Sequence, residues 1–417
     1  LRTVVASMLK NILTQSFLFI TTLCLSQQYG FKLAGDREKV VIPIEIFNNM
    51  VVVPVVLNGQ VPLKFILDTG VRTTVLTQKV YSDILGLSYS KEIFISGPGG
   101  EKLVNAFVTD NVSLDLPGVS GKGHSMLVLE QDYLELRNYL GTEVHGILGY
   151  ELFSRFIVQM DYERSQLVLT LPGRFKKKRR FQTFQVSIRD TKPFIQAKVK
   201  MDDNTELVAN LLMDTGASHG LILEPESDDR IQIPEKHLNS IIGRGLGGVI
   251  TGSIGRINSI QIGKFKIDKL ISNFPDPNSY ADTLLQKDSG NRNGAIGGEI
   301  LSRFTVIFNF SQEEVYLKKN SFYRKKFNYD MSGLTIKAKG AKLRTFEITE
   351  LREGSPGKRA GLKVGDLIIT VNGTKVNTLD LNHVNGYFNS REGKHISMEV
   401  ERGGERVKVN FRLENQI

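Results

Sequence analysis

Residues 63–70 read LKFILDTG and residues 209–216 read ANLLMDTG, so an apolar run ends in Asp-Thr-Gly twice, at an offset of 146 residues. Further along, residues 146–156 read GILGYELFSRF and residues 294–304 read GAIGGEILSRF, at an offset of 148. Because these matched segments occur in one order at nearly one spacing, they indicate an internal repeat. The sequence therefore predicts two copies of a unit of about 140 residues.

A glycine-rich segment lies between these landmarks in each copy, again at an offset of 148. The segments are Gly97, Pro98, Gly99 and Gly100 in the first copy, and Gly245, Leu246, Gly247 and Gly248 in the second. In the first copy, Asn58-Gly59 separates two apolar runs, which is a strong hairpin signal. Short apolar runs bounded by turn signals predict that both copies are mainly β.

The composition is that of an ordinary soluble protein. Of the 417 residues, 41% are hydrophobic and 24% are charged, which excludes a disordered tail, a collagen-like rod and a polytopic membrane protein. The single cysteine, Cys24, lies in a segment that we expect to be removed, and histidines number only six. We therefore predict no disulfide, no metal site and no cofactor.

The net charge of +10 is concentrated partly in two basic clusters, residues 174–180 and 324–326. Both clusters fall at predicted boundaries, where mutual repulsion favours a solvated linker. A polyanion-binding surface is the alternative interpretation. Neither zinc-finger spacing nor a basic face with interleaved aromatic residues is present, so we predict no nucleic-acid partner.

The N-terminal apolar run, residues 12–25, reads ILTQSFLFITTLCL and follows Lys10. Its 14 residues are short for a membrane span, which needs about 20. A basic start, a short apolar run and small residues at its end are typical of a secretory signal peptide, and a buried first helix is the alternative. We expect residues 1–26 to be removed on export to the periplasm or cell envelope, leaving a mature chain without a membrane span.

The paired aspartates, Asp68 and Asp214, supply the chemistry of the repeat. If the two copies face each other, the carboxyl groups share one proton, because like charges held close together cannot both ionise easily. The ionised carboxylate can then take a proton from water while the protonated carboxyl polarises a carbonyl group. His219, five residues after Asp214, either lines the same cleft or packs nearby.

The two Asp-Thr-Gly segments resemble the catalytic loops of the aspartic peptidases, and the GILG and GAIG segments resemble the element that crosses behind each loop. Each copy is similar to a retroviral protease lobe, whereas two lobes in one chain are pepsin-like. The resemblance implies two duplicated β-barrel lobes, a catalytic pair formed by Asp68 and Asp214, and glycine-rich flaps that cover a peptide or protein substrate. By the same resemblance, the residues that support the pair are Thr69, Gly70, Thr215 and Gly216, with the two threonines interlocking across the lobe junction.

Arg72 departs from the pattern of this family, which usually has a small hydroxyl residue at that position. A guanidinium near the pair would lower the pKa of Asp68, shift the pH optimum or contact an acidic group of the substrate.

A different pattern begins near residue 330. Residues 353–373 read EGSPGKRAGLKVGDLIITVNG, in which Ser355 before Pro356 predicts the start of a short helix. This run closely resembles PDZ domains of bacterial envelope proteases. The resemblance implies a small α+β domain that binds a peptide beside an exposed strand, usually by its C-terminal carboxylate.

We expect residues 346–351 to receive that peptide, opposite a helix over residues 378–388. The predicted groove residues are Leu343, Arg344, Thr345, Phe346 and Ile348. Residues 343–346, which occupy the place of the glycine-containing loop of that family, include no glycine, so a structural or regulatory role is the alternative to carboxylate capture.

Together these features predict an exported aspartic endopeptidase in which one chain suffices for catalysis. The alternative is a catalytically inactive peptide-binding protein of the envelope. The predicted domains are a signal peptide (1–26), an N-terminal lobe (38–173), a C-terminal lobe (181–322) and a PDZ domain (330–414).

Overall fold

The computed structural model describes residues 29–100, 102–277, 279 and 292–417. The predicted signal peptide, residues 1–26, lies outside the described residues. Most of the regular structure is β, as the sequence predicts, and the elements are bounded as follows.

The strands, in chain order, are β1 (Gly30–Leu33), β2 (Lys39–Pro43), β3 (Glu45–Phe47), β4 (Met50–Leu57), β5 (Val61–Leu67), β6 (Thr74–Leu76), β7 (Tyr89–Ile95), β8 (Val104–Val112), β9 (Leu114–Asp115), β10 (Val119–Lys122), β11 (His124–Leu129), β12 (Gly146–Leu148), β13 (Ile157–Asp161), β14 (Gln166–Thr170), β15 (Gln182–Gln185), β16 (Ser187–Arg189), β17 (Lys192–Lys200), β18 (Glu206–Met213), β19 (Leu221–Leu223), β20 (His237–Gly245), β21 (Gly248–Ile262), β22 (Phe265–Pro275), β23 (Gly294–Ile296), β24 (Phe304–Asn309), β25 (Glu314–Lys319), β26 (Leu334–Lys339), β27 (Thr345–Leu351), β28 (Leu367–Val371), β29 (Thr374–Lys375), β30 (His395–Arg402) and β31 (Glu405–Arg412). The α-helices of the described residues are α1 (Val80–Ile84), α2 (Leu136–Leu140), α3 (Tyr150–Arg155), α4 (Gly298–Leu301), α5 (Pro356–Arg359) and α6 (Leu381–Phe388).

The first repeat forms a nine-stranded sheet in the order β3-β4-β5-β12-β6-β11-β8-β7, with β9 paired to β4. The predicted hairpin between β4 and β5 is present, and Asn58 and Gly59 take φ values of 50° and 67°. Two consecutive positive φ values match the twist of the flanking strands, which is why Asn-Gly is favoured there.

The second repeat forms an eight-stranded sheet in the order β16-β17-β18-β23-β19-β22-β21-β20. Here β17 also pairs with β21, which joins the strands between them into a closed ring. The two sheets follow the same path around their Asp-Thr-Gly segments, because β12 and β23 each pair parallel with the strand that ends at the aspartate.

A six-stranded sheet, ordered β15-β25-β24-β13-β14-β2, joins the two repeats. Its central pair is antiparallel, with Val158 of β13 opposite Phe308 of β24. Phe153 packs edge-on against Phe308 at a ring-centroid distance of 5.6 Å, within a buried core that runs through both lobes. The lobes therefore associate within one chain.

The first basic cluster, residues 174–180, connects the lobes across this sheet. Its Phe175 packs with the buried Phe181 onto Ile157 and Ile307 of the central strands. The aromatic residues thus fix the linker to the sheet while its charged residues remain mostly exposed.

The C-terminal unit has its own apolar core and a sheet ordered β26-β27-β28-β30-β31, with β29 paired to β28. Helix α5 begins as predicted, since the Ser355 hydroxyl accepts the N–H of Lys358 at 3.4 Å. Helix α6 begins at an Asp380 cap, whose carboxylate accepts the N–H of His383 at 2.8 Å.

The strand predicted to receive a peptide, residues 346–351, is an inner strand of this sheet. It pairs with β26 on one side and with β28 on the other, and Ile348 exchanges further backbone hydrogen bonds with Gly365 and Asp366. Among the predicted groove residues, Leu343, Phe346 and Ile348 lie in the core, whereas Arg344 and Thr345 are exposed. The prediction of the receiving strand is therefore wrong, and the sheet ends instead at β26.

Candidate active site

Both Asp-Thr-Gly segments begin where an inner strand ends. The Asp68 N–H, just past β5, donates to the carbonyl oxygen of Leu148 at 2.9 Å. The Asp214 N–H, just past β18, donates to the carbonyl oxygen of Ile296 at 2.9 Å. The GILG and GAIG segments thus hold the two aspartates in equivalent positions, as the sequence predicts.

Glycine ends each of these crossing segments because the backbone at that point packs against the residues that follow Asp-Thr-Gly. A Cβ atom on Gly149 would lie 2.0 Å from the carbonyl oxygen of Val71, and one on Gly297 would lie 2.3 Å from that of His219. No side chain fits at such distances, so the close approach of the two backbones requires glycine at both positions.

The two threonines interlock across the lobe junction. The Thr215 hydroxyl accepts the N–H of Thr69 at 3.0 Å and donates to the carbonyl oxygen of Leu67 at 2.8 Å. Reciprocally, the Thr69 hydroxyl accepts the N–H of Thr215 at 3.1 Å and donates to the carbonyl oxygen of Met213 at 2.6 Å. Both side chains are buried, so this symmetric set of hydrogen bonds fixes each loop against the other.

The carboxyl groups lie side by side above this junction. The Gly70 N–H donates to Oδ1 of Asp68 at 2.6 Å, and the Gly216 N–H donates to Oδ1 of Asp214 at 2.9 Å. A Cβ atom on Gly216 would lie 2.2 Å from Cγ of Asp68, in the opposite lobe. Glycine at position 216 therefore allows the Asp68 carboxyl group to approach the opposite loop.

Burial raises the pKa of both carboxyl groups, and the charge of Asp214 adds to the rise at Asp68. At Asp214, the N–H of Gly216 and a hydrogen bond with Asp68 lower the pKa in opposition to burial. The side chains of Lys192 and Arg292 also act on this pair and favour ionisation. Burial and the proximity of the two carboxyl groups thus favour one proton shared by the pair.

The nearby cations differ from the sequence-based expectation. Arg72 points away to Asp190 of the second lobe, with 3.5 Å between Nη1 and Oδ1, and its side chain is 71% exposed. Lys192, at the start of β17, acts on both carboxyl groups instead. No motif marks this lysine in the sequence; the β16–β17 hairpin brings it to the site.

His219 packs behind the second Asp-Thr-Gly loop. Its carbonyl oxygen accepts the N–H of Glu299 at 3.2 Å, and burial lowers the pKa of its imidazole to about 4. Of the two interpretations of His219, a cleft-lining residue or a packed one, the structure fits the packed residue.

The two glycine-rich segments meet at their tips. The Gly247 N–H donates to the carbonyl oxygen of Pro98 at 3.0 Å, and a Cβ atom on Gly245 would lie 2.1 Å from the same oxygen. Leu246 packs into an apolar cluster of the first lobe that includes Val71, three residues after the first aspartate. The predicted flaps therefore form one continuous bridge between the lobes.

The remaining glycines allow backbone to pack on backbone within this bridge. Gly99, Gly100 and Gly248 have φ values of 111°, 121° and 131°, which L side chains rarely adopt. A Cβ atom on Gly99 would lie 2.2 Å from the carbonyl oxygen of Gly248, and one on Gly97 would lie 3.0 Å from Cβ of Leu246.

Two further properties concern the described residues alone. In this part of the chain, no group of three or more His, Cys, Asp and Glu side chains is placed to hold a metal ion. Within the same residues, every helix is too short or too polar to cross a membrane.

Comparison with known families matches three regions of the chain. Residues 53–152 and 197–297 each match the family described as aspartyl protease, and each region contains one Asp-Thr-Gly segment. Residues 347–402 match the family described as PDZ domain. The two lobes are thus aspartyl-protease-like, and the C-terminal unit is a PDZ domain.

Similar proteins share only a short region with this chain. The carboxy-terminal processing protease of Bacillus subtilis is 37% identical over 59 residues, 14% of this chain and 12% of that protein. A Lactococcus lactis protein named as a zinc metalloprotease is 41% identical over 71 residues, 17% of this chain and 16% of its own length. An Agrobacterium fabrum protein with a similar name is 39% identical over 62 residues, 15% and 16% of the two chains. The chain thus spans less than a fifth of the length of these relatives.

Proposed function

Because this chain combines two aspartyl protease lobes with a C-terminal PDZ domain, we propose that it is an aspartic-type endopeptidase. The observation that carries the proposal is the symmetric junction: two Asp-Thr-Gly loops, locked by reciprocal threonine hydrogen bonds, present adjacent carboxyl groups. A catalytically inactive peptide-binding protein would retain the lobes without needing a shared proton between these groups.

The proposed reaction begins with one protonated and one ionised carboxyl group. Asp214 takes a proton from a water molecule held between the pair, and the water oxygen bonds to the carbonyl carbon of the substrate. Asp68 donates its proton to the carbonyl oxygen, which gives a neutral tetrahedral intermediate. As this intermediate collapses, the C–N bond breaks, the protonated Asp214 donates its proton to the leaving nitrogen, and the ionised Asp68 takes a proton from one hydroxyl group of the intermediate. Both carboxyl groups thereby return to their starting protonation states.

The flap bridge supports an extended substrate in this proposal. Because the tips are joined by backbone contacts, they must separate for a peptide to enter and can then close over it. Leu246 and the apolar cluster around Val71 offer a hydrophobic surface next to the first catalytic loop.

Further parts of the proposal concern assembly and location. Both aspartates come from one chain, so a monomer supplies the complete pair. We also propose that the protein acts after export, in the periplasm or cell envelope, and that its PDZ domain positions substrates or partners.

A peptide-cleavage assay tests the proposal. Purified protein is incubated with a diverse peptide pool from roughly pH 3 to 8, a range that spans the titration of a coupled carboxyl pair. Parallel samples contain pepstatin or EDTA. Cleavage that is blocked by pepstatin but survives EDTA would support an aspartic enzyme. Cleavage that is lost in EDTA alone would instead support the metal-dependent chemistry in the names of two relatives.

A further inference from the structure

β26 is one of the two terminal strands of the PDZ sheet, and β31 is the other. One side of β26 pairs with β27, and helix α6 lies beside its other edge, with the Met331 N–H donating to the carbonyl oxygen of Phe388 at 3.2 Å. An edge strand with exposed backbone groups next to a helix is the surface on which a peptide adds as a further strand. The groove is therefore bounded by β26 and α6.

The backbone amides that precede β26 are already occupied by a carboxylate of the same chain. Asp330 accepts the N–H groups of Ser332, Gly333 and Leu334 at 3.1, 2.5 and 3.1 Å. A peptide whose C-terminal carboxylate bound here would have to displace this internal group. The groove is thus better suited to an internal segment of a partner than to a free chain end.

The first lobe covers part of this groove with a segment that we call the α2 plug, residues 135–141. The Asn138 side-chain amide donates to the carbonyl oxygen of Ala338 at 2.7 Å, and Glu135 forms an ion pair with Lys337. At the other wall, a Cβ atom on Gly141 would lie 2.5 Å from Cβ of Leu381, the first residue of α6. The plug therefore contacts both sides of the groove.

The same plug is linked to the flap of the second lobe. The ring of Tyr139 lies between two cations, Arg244 and Lys337, each 4.7 Å from its centroid. Arg244 also pairs with Glu350 of the PDZ domain, with 2.7 Å between Nη2 and Oε1. Because Arg244 directly precedes Gly245, these contacts tie a PDZ strand and the α2 plug to the flap tip.

We propose that an acidic, extended peptide segment binds along β26 by displacing the α2 plug, and that this displacement releases the second flap. The peptide must replace the groups by which the plug binds β26, so these groups indicate the chemical class of the peptide. The Asn138 amide supplies the N–H that an added strand would offer to Ala338, and Glu135 supplies a carboxylate to Lys337. Lys342 and Arg344, both exposed and next to β27, extend the basic surface.

The test measures peptide binding and amide exchange in the full chain, so its result is separable from whether the carboxyl pair hydrolyses peptides. All proteins carry Asp214→Asn to keep the probe intact. The probe is a fluorescent peptide of alternating valine and glutamate with an amidated C-terminus. The double variant Glu135→Ala, Asn138→Ala removes one hydrogen bond and one ion pair with which the plug competes against the probe. The loss of these two contacts should tighten binding of the probe about tenfold.

A matched control is Glu206→Ala, which removes an exposed ion pair with Lys198 in the second lobe and should leave probe affinity unchanged. Equal affinity in the double variant and the parent would contradict displacement of the plug. Absence of binding to both proteins would contradict a peptide groove at β26. Equal binding of a lysine-for-glutamate probe would contradict the acidic preference, and tighter binding of a probe with a free C-terminus would contradict the internal-segment assignment.

Hydrogen exchange tests the coupling to the flap. Saturating probe should speed amide exchange in β20, because displacement of the plug removes the contact between Tyr139 and Arg244. Glu350→Gln should also speed this exchange without probe, because it removes the ion pair that holds Arg244 to the PDZ domain. Unchanged exchange in β20 in either experiment would overturn the coupling.

Discussion

Replacing Thr215 by valine tests whether the threonine junction holds the two lobes together. The substitution nearly conserves side-chain volume but removes a hydroxyl that accepts from Thr69 at 3.0 Å and donates to Leu67 at 2.8 Å. Both partners then remain buried without that hydrogen bond. Each buried unsatisfied group costs about 1–3 kcal/mol, so the loss of two partners should lower the free energy of unfolding by roughly 2–6 kcal/mol.

Equilibrium unfolding in urea, followed by circular dichroism, measures this loss. Thr215→Ser is the matched control, because it keeps the hydroxyl and should lose only about 1 kcal/mol for the missing methyl group. Thr69→Val removes the symmetric hydrogen bonds to Met213 and Thr215 and should be similarly destabilising.

The double variant of Thr69 and Thr215 tests whether the two hydroxyls act as one unit. Since they contact the same junction, their separate losses should not add, and the double variant should lose less than the sum. Additive effects, or a Thr215→Val protein as stable as Thr215→Ser, would refute the interlocked junction.

Three further predictions concern backbone approach and charge. Gly297→Ala should lower the free energy of unfolding by about 2 kcal/mol or more, because the added Cβ atom would overlap the carbonyl oxygen of His219. Urea unfolding measures this loss, and a variant as stable as the wild type would contradict the close approach. Folding raises the pKa of Asp68, so the unfolded state releases this proton at a lower pH than the folded state does. The contribution of Asp68 to the free energy of unfolding should therefore fall as the pH rises from acidic toward neutral values. In Asp68→Asn, the free energy of unfolding should depend less steeply on pH over the same range. Lys192→Ala should move the acidic limb of the plot of kcat/KM against pH to higher pH, because the lysine lowers the pKa of both carboxyl groups. Lys192→Arg keeps the positive charge and should leave this limb in place. An unchanged profile in both variants would show that this cation does not act on the pair.

The sequence predicts the repeated elements well because each depends on short-range chemistry. The two Asp-Thr-Gly segments and the two glycine-bounded segments are visible in the sequence as a repeat, and the resemblance to the aspartic peptidases implies that Asp68 and Asp214 meet as a pair. The N-cap at Ser355 is equally local. These features need only strand propensity, turn geometry and the steric freedom of glycine.

The errors and omissions concern contacts between elements distant in sequence. Residues 346–351 have the pattern of a strand, but the pattern does not reveal which neighbours the strand will have, and pairing with β26 and β28 closes both of its edges. Lys192 carries no motif, and Arg72 lies next to a motif yet turns to Asp190. The meeting of the flap tips likewise follows from how two lobes associate.

The most direct test of the shared carboxyl pair is the rate of peptide cleavage by Asp68→Asn and Asp214→Asn, measured separately across the pH range of the active protein. Asp190→Asn is the matched control, since it changes an aspartate that pairs with Arg72 outside the junction. Each of the first two variants should lose about 10²–10⁴-fold or more in kcat, while the control should retain activity. Near-normal cleavage by either variant would contradict a reaction that depends on both carboxyl groups.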